Sequence, residues 1–271
     1  AGNVSPTDSD NVFIGKDSAS LLYGTQNVSV GKDALKGASF TDATCHVTSG
    51  NDAVPHDSNA NILAGMGVSG TGIPDGAYVQ AKDSNTQFTL NSSFTPTAGD
   101  GSEITLTFFS RVGSTIAIGY DALTSIKNGT YNNAIGYSSG TALTTGSRNV
   151  MYGTQSGERI TTASENVLIG NSAGAGLTTS GNNTYVGHAV AANASSTGHS
   201  NAFVGSAVAS GGAMTGNYNS ALGRNSLLAL TSGVENVAIG YYAGGAITTD
   251  SRVVAIGQGA YASNDTTNAH D

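Results

Sequence analysis

The side chains best suited to chemistry lie close together in the first half of the sequence. Cys45 and His46 are adjacent, and His56 and Asp57 follow eleven and twelve residues after the cysteine. A Cys–His pair becomes a nucleophile when a third group orients the base, and thiolate and imidazole are common zinc ligands. The spacing matches no zinc pattern and supplies no third group. We therefore interpret these four as loop residues and predict no catalytic residue, no metal ligand and no cofactor.

Two further patterns point to chemistry only weakly. Gly65-Met-Gly-Val-Ser-Gly70 has the spacing of a dinucleotide-binding loop, but no helical pattern follows it and no βαβ unit surrounds it. The carboxylates are scattered, and no pair recurs at a spacing that suggests a glycosidase cleft. We expect that the chain is not an enzyme. A tailspike that degrades polysaccharide is the weaker alternative.

Composition restricts the partners. The net charge is −8, and the ten lysines and arginines form no basic cluster, which argues against nucleic-acid binding. The single cysteine excludes an internal disulfide framework. No run of 18 apolar residues is present, so we predict no membrane insertion.

The dominant pattern is a glycine that returns about every 17 residues, preceded by three mostly apolar residues. From Gly119 to Gly257 the successive spacings are 17, 17, 17, 17, 18, 18, 17 and 17, and two more repeats end at Gly15 and Gly31. A fixed short period indicates stacked coils of a solenoid. The sequence therefore predicts an all-β protein, a parallel β-solenoid of eleven coils with about 17 residues each.

One coil contains a long insertion. Gly31 and Gly119 are 88 residues apart, an excess of about 71 residues. Within the excess, Gln87-Phe-Thr-Leu90 and Glu103-Ile-Thr-Leu-Thr-Phe108 alternate polar and apolar residues between clusters of turn residues, as in short antiparallel strands. We predict first solenoid coils at residues 1–38, an inserted small antiparallel β domain at 39–110 and the main solenoid coils at 111–271.

Each coil shows further order. A small residue follows three places after the repeat glycine, an apolar residue usually follows seven places after it, and then comes a polar turn such as Thr144-Thr-Gly-Ser147. We interpret one coil as a strand, a glycine corner, a second short strand and a Thr/Gly/Ser corner. The glycine corner predicts a positive φ or close approach of a neighbouring backbone.

The strand before the glycine is apolar on both sides, which predicts burial on both sides. One side fills the coil, and a thin solenoid has nothing of its own to cover the other. We assign the outward side to the middle residue of the triplet, such as Phe13, Met151, Leu168 and Phe203, and expect sister copies to cover it. A closed symmetric oligomer is the simplest arrangement that does so.

Three rows of residues recur at coil spacing. An asparagine opens nine of the eleven strands, and stacked amides form hydrogen-bonded ladders; a ligand-binding polar row is the alternative. Exposed tyrosines at 120, 137 and 241 either stack on sugars or cover the corner. The Thr-Thr pairs at 144–145, 161–162, 178–179 and 248–249 are similar to ice-binding rows, but the series breaks near 195–215.

The repeats resemble those of a known family. Ile116-Ala-Ile-Gly119, Val237-Ala-Ile-Gly240 and Val254-Ala-Ile-Gly257 are similar to the head repeats of trimeric autotransporter adhesins. That resemblance implies a left-handed parallel β-roll with three chains around one axis; the longer coil leaves a triangular coil open. The Leu143-Thr-Thr-Gly-Ser147 corner and the stretch 68–76 resemble segments of phage tail fibres.

These patterns lead to a functional expectation. No heptad stalk or C-terminal membrane barrel segment is visible, which favours a phage tail fibre or a fragment of a longer adhesin. We predict an adhesive or structural fibre segment in a virion tail or at a cell surface, as an intertwined or side-by-side homotrimer with possible head-to-tail polymerisation. A host-surface glycan or protein is the expected partner. A bacterial adhesin head or secreted matrix filament is the alternative.

Overall fold

A computed structural model describes residues 10–19, 22–23, 25–37, 39–74, 77–91, 100–193 and 195–263. The predicted solenoid segments extend to 1–9 and 264–271, and the turn-rich stretch of the insertion to 75–76, which lie outside the described residues. The described part contains strands and turns but no helix. The strands are β1 Val12–Ile14, β2 Leu22–Tyr23, β3 Val28–Val30, β4 Ser39–Thr48, β5 Ala53–Pro55, β6 Gly67–Ser69, β7 Val79–Ser84, β8 Gln87–Leu90, β9 Asp100–Arg111, β10 Ile116–Ile118, β11 Asn133–Ile135, β12 Val150–Tyr152, β13 Val167–Ile169, β14 Thr184–Val186, β15 Ala202–Val204, β16 Ser220–Leu222, β17 Val237–Ile239 and β18 Val254–Ile256.

The predicted parallel β-solenoid is confirmed. Eleven strands form one long parallel sheet in the order β1-β3-β10-β11-β12-β13-β14-β15-β16-β17-β18, one for each repeat glycine. The register is constant, so that Ala134, Met151 and Leu168 pair in succession. Strand β3 pairs directly with β10 across the insertion. The solenoid is therefore continuous, and the insertion leaves it and returns within one coil.

The middle residue of each strand points into the coil, which corrects the predicted orientation. Met151, Leu168 and Phe203 are fully buried, and Phe13 packs against the same core. The first and third residues of each strand point outward instead. The reason is that successive side chains of a strand alternate between faces, and the interior already receives the asparagine two places before the middle residue.

Within the described residues, the second short strand predicted in each coil forms only in the first coil, as β2, and a single bridge joins Leu177 to Ser196 farther along. The segment after each glycine is a run of turns, in which the second residue has a positive φ, as at Gln155 and Ser172. The fourth residue does the same, either as glycine or as a residue such as Leu123 and Leu227. Left-handed residues break a strand locally. The turns still stack, because their backbone groups bond those of the next coil.

The repeat glycines are required by both the conformation and the spacing of the corner. Gly153 has a φ of 136°, and a Cβ atom there would lie 2.4 Å from the carbonyl oxygen of Gly170 in the next coil. A Cβ at Gly136 would meet the carbonyl oxygen of Gly153 at the same distance. Both reasons predicted from sequence therefore apply together.

The insertion forms two small sheets with a core of its own. Strand β9 pairs antiparallel with β4 and β6 and parallel with β2 of the first coil, and β5, β8 and β7 form a three-stranded antiparallel sheet. Phe88 and Phe108 pack edge to face in this core, with ring centres 5.4 Å apart. Strands β4 and β9 leave and re-enter the solenoid side by side, since Ser39 pairs with Phe109.

Candidate binding and assembly surfaces

Of the four residues predicted to lie in loops, Cys45 and His46 lie in strand β4 instead, and the structure does not bring the four together in one site. Cys45 is buried in the insertion core, and burial, with a smaller effect of the Asp42 charge, raises the pKa of its thiol to about 12. His46 points the other way, with Nδ1 2.9 Å from the carbonyl oxygen of Gly101. Asp57 is exposed. A thiol that stays protonated is a poor nucleophile and a poor metal ligand.

The sequence did not reveal a buried pair between Asp42 and His56. The His56 side chain has no exposed surface, and its Nδ1 lies 3.6 Å from Asp42 Oδ2. Burial raises the pKa of Asp42, but hydrogen bonds from Thr44 and Asn59 and the nearby histidine outweigh burial, and the pKa is lowered overall. Within the described ranges no three His, Cys, Asp or Glu residues form a group suited to a metal ion.

An extended apolar surface lies on the outward side of the long sheet. We call it the front face and define it as the first and third residues of each of its eleven strands. The third residue is apolar in every strand, from Ile14 to Ile256. Many of these side chains are exposed in the single chain, including Leu222 at 51% and Ile256 at 63%. Continuous apolar patches of this size on soluble proteins mark interaction surfaces.

Two polar rows border the front face. The upstream margin is the residue five places before each repeat glycine, from Asp10 to Arg252, and the downstream margin is the residue directly after each glycine, from Lys16 to Gln258. Both rows are exposed or half-buried throughout. Every residue of the upstream margin has a positive φ, from Asp10 at 62° to Arg252 at 63°, so the chain turns sharply there.

The margins are partly ordered by contacts along the rod. On the upstream margin Arg148 bonds Glu165 at 3.3 Å, and Arg252 bonds Glu235 at 2.8 Å. On the downstream margin Tyr120 stacks on Tyr137 with ring centres 5.5 Å apart. These exposed pairs contribute little to stability individually. They do hold their side chains in defined places at the border of the front face.

The asparagine row is structural rather than a ligand site. Asn149, Asn166 and Asn183 are fully buried, and each side-chain oxygen accepts hydrogen bonds from the backbone and side-chain nitrogens of the next asparagine. Each amide nitrogen also donates to a carbonyl oxygen in the corner of the next coil, as Asn166 does to Ser180. The ladder predicted from sequence is therefore present, and its bonding groups face one another.

The threonine rows do not form a free hydroxyl surface. Thr144, Thr161 and Thr231 each donate their hydroxyl to the carbonyl oxygen of the equivalent threonine in the next coil. The exposed members of the four pairs are Thr162, Thr179 and Thr249, whereas Thr145 and the first residue of each pair are half-buried. A surface for ice needs a regular array of unengaged hydroxyls, so the geometry gives that alternative no support.

The orientation of the strand was readable from its polar exceptions. Asn133, Thr184 and Ser220 stand at the first strand position, which is where a solvated face tolerates them. The middle position has one polar residue, Ser29, whose hydroxyl is bonded by Ser18 at 2.7 Å inside the coil. Because the first and middle strand positions carry similar numbers of apolar residues, hydrophobicity alone did not show which of them points into the coil.

Comparison of the chain with known protein families, curated proteins and solved structures found no match. No helix long and apolar enough to cross a bilayer occurs in the part of the chain that the structure describes. The function must therefore be argued from the surfaces themselves.

Proposed function

We propose that the chain is a structural segment of a homotrimeric fibre of the phage tail-fibre kind, which holds its insertion out toward a host cell surface. The observation that carries the proposal is the front face, an unbroken apolar column along all eleven coils. A monomer would leave that column in water. Three copies around a common axis would cover it.

The dimensions of the front face together with its two margins fit such an assembly. Ten steps of about 4.8 Å give a length of about 48 Å, and the six residue steps of about 3.3 Å from one margin to the other give a width of about 20 Å. The product, roughly 950 Å², is comparable to the area of about 800 Å² that each partner buries in a typical stable interface. Three faces of about this width in a triangle place each sheet ~6 Å from the axis, close to half of the ~10 Å between packed sheets.

The position of the insertion supports display. It leaves the solenoid after Gly37 and returns at Ser110, whose hydroxyl bonds the carbonyl oxygen of Ile126 on the side of the coil opposite the front face. An assembly through the front face would therefore leave the insertion on the outside. Insertions on rigid scaffolds are common carriers of binding function, and three copies would add avidity.

The insertion is also electrically distinct. Residues 39–110 contain seven carboxylates and one lysine, a net charge of −6 out of −8 for the chain. The coils are thus nearly neutral, which suits close packing of copies. The acidic insertion favours a partner with positive or hydrogen-bonding groups.

Native mass spectrometry tests the assembly, with a trimer expected at micromolar concentration. Replacing Ile169 by lysine places a charge in the front face and should yield monomers. Replacing the exposed Thr162 by lysine on the opposite side is the matched control and should keep the trimer. A wild-type chain that is monomeric or dimeric contradicts the proposal.

A deletion tests the role of the insertion. Removing residues 39–109 takes out 71 residues and restores a spacing of 17 between Gly31 and Gly119. The junction is feasible because Ser39 and Phe109 pair directly, at a Cα distance of about 5 Å. The variant should form trimers but no longer attach to the bacterial cells that the labelled full chain binds. Equal binding by both proteins shows that the insertion does not carry attachment.

A further inference from the structure

We propose that the insertion carries a site for a self-made cross-link, an amide bond between the side chains of Lys82 and Asn59. The bond forms within one chain, with loss of ammonia and without an external reagent. Two further residues complete the site, Asp42 and His56, whose buried pair has no role in assembly. Because all four residues lie in the insertion, the bond forms equally well in a single copy and in a trimer.

The three-stranded sheet of the insertion positions Lys82. Lys82 pairs with Phe88 across β7 and β8, and directly opposed residues of an antiparallel pair project to the same side of the sheet. Phe88 is fully buried, and its ring centre lies 5.5 Å from that of His56. Lys82 is half-buried, and its Nζ donates to the backbone carbonyl oxygen of Asn59 at 3.0 Å. The sheet thus holds an amine against Asn59.

The side-chain amide of Asn59 is bonded at both of its polar atoms. Its Nδ2 donates to Asp42 Oδ2 at 2.9 Å, and its Oδ1 accepts the backbone N–H of Asn61 at 3.0 Å. A backbone N–H at that oxygen stabilises the negative charge that develops there when an amine attacks Cγ. A carboxyl group at the nitrogen supplies the proton with which ammonia leaves. The amide of Asn59 is therefore arranged to be attacked at Cγ.

Asp42 and His56 form the group that moves the protons. Both residues are buried, and His56 Nδ1 lies 3.6 Å from Asp42 Oδ2. Thr44 donates its hydroxyl to Asp42 Oδ1 at 2.7 Å, which fixes the carboxylate beside Asn59. Neither ring nitrogen of His56 makes a hydrogen bond in the part of the insertion that the structure describes, although buried polar groups are normally bonded. Proton exchange with Asp42 gives this unbonded imidazole a role.

The reaction balances in atoms and charge. Lys82 Nζ gives its ammonium proton to the Asp42–His56 pair and bonds to Cγ of Asn59 as a free amine. The Cγ–Nδ2 bond then breaks, Nδ2 receives a proton from the pair, and the pair takes the second proton that Nζ loses. That proton leaves with ammonia as ammonium, and no electron is transferred. The flexible stem of lysine allows Nζ to move from the backbone oxygen of Asn59 to Cγ.

The cross-link ties β7 to the loop that follows β5. It closes residues 59–82 into a covalent ring that includes β6. A closed ring restricts the unfolded chain and thereby favours the folded one. A domain that projects from a rod into the medium benefits from such a restraint, whatever partner it meets there.

Trypsin digestion and mass spectrometry of the purified full chain test the cross-link. Between Lys36 and Arg111 the only tryptic site is the bond after Lys82. An amide on Nζ blocks cleavage there, so the expected fragment is 37–111, uncut and lighter than its sequence by one ammonia, about 17 Da. Lys82→Arg is the matched control, because a guanidinium keeps the charge and the donors but stays protonated. It should show the full mass and give fragments 37–82 and 83–111.

Three results decide the proposal. A wild-type chain of full sequence mass that trypsin cuts after Lys82 overturns it. A loss of ammonia that persists in Lys82→Arg arises at another asparagine and overturns it as well. In freshly synthesised protein, Asp42→Asn should slow the cross-link by at least about 100-fold with an unchanged circular dichroism spectrum, and a wild-type rate would remove Asp42 from the reaction. Trimers without the cross-link leave the fibre proposal standing, and cross-linked monomers do the reverse.

Discussion

Replacing Asn166 by alanine should destabilise the solenoid strongly, because this amide joins three successive coils. Its Nδ2 donates to Asn149 Oδ1 at 3.0 Å and to the carbonyl oxygens of Ser180 and Ser164 at 3.2 and 3.3 Å. Its Oδ1 accepts from the backbone and side-chain nitrogens of Asn183 at 3.0 and 3.2 Å. Alanine removes all five bonds from a site with no water access.

The magnitude follows from what remains unpaired. The backbone N–H of Asn183 would be left buried without an acceptor, at a cost of about 1–3 kcal/mol, and each other lost bond costs about 0.5–1.5 kcal/mol. Because Asn183 Nδ2 keeps its bonds to the carbonyl oxygens of Gly181 and Gly198, we expect a total of about 3–5 kcal/mol per chain.

Urea unfolding at fixed protein concentration and hydrogen exchange measure this effect. Because solenoids unfold in segments, exchange should accelerate at Asn183 and the adjoining coils and remain slow at Ile116–Ile118. Asn171→Ala, at an exposed position, is the control and should change stability by less than about 0.5 kcal/mol. If the two variants unfold alike, the ladder does not stabilise the coils as argued.

Three other perturbations test separate parts of the structure. Gly153→Ala should lower stability by about 2–4 kcal/mol, since it adds a left-handed alanine to a contact with the Gly170 carbonyl; a melting temperature unchanged from wild type would contradict this. The pKa of Asp42 is lower in the folded chain than the value near 3.8 of an unfolded carboxyl. Its charge therefore stabilises the insertion at pH values above 3.8, and this stabilisation is lost as the pH falls through the pKa of the folded state. The melting temperature of the wild-type chain should therefore fall below pH 4, and it should fall less in the Asp42→Asn variant. Melting temperatures that fall equally with pH in both proteins would argue against this role of Asp42. Cys45 should not react with iodoacetamide at pH 8 until the chain is unfolded, as measured by mass spectrometry. Rapid labelling of the folded chain would contradict the burial of this thiol.

The number and register of the stacked coils could be predicted from the sequence because every coil repeats the same residue types at the same positions. Gly153 and its equivalents fixed the corner, and the buried asparagines fixed the start of each strand. The insertion offered no such repetition. Its β9 pairs with segments as distant as β2 and β4, and non-local pairings of this kind leave no periodic signal in a single sequence.

The observed coils differ from the predicted ones in local features, and each difference has a physical cause. Both faces of the strand are apolar, so hydrophobicity alone did not say which side the coil encloses. The apolar residue seven places after the glycine suggested a second strand, but the turns before it contain left-handed residues, among them Leu123 and Leu227, which rarely adopt that region yet do so here. Glycine at the same place in other coils, such as Gly140 and Gly157, was the available signal.

The solenoid accepts extra residues at one place, which explains where function can be added. In the two coils of 18 residues, backbone bonds at Ala191 and Ala209 keep the stacking pattern, and the asparagine ladder resumes at Asn201 and Asn219. The extra residue therefore lies in the segment between them, on the side opposite the front face. The 71-residue insertion leaves the coil in the same segment.

The glycine corner has no room for a Cβ atom, and the front face requires constant register. Only the far side is free to vary without breaking the sheet or the surface proposed for assembly.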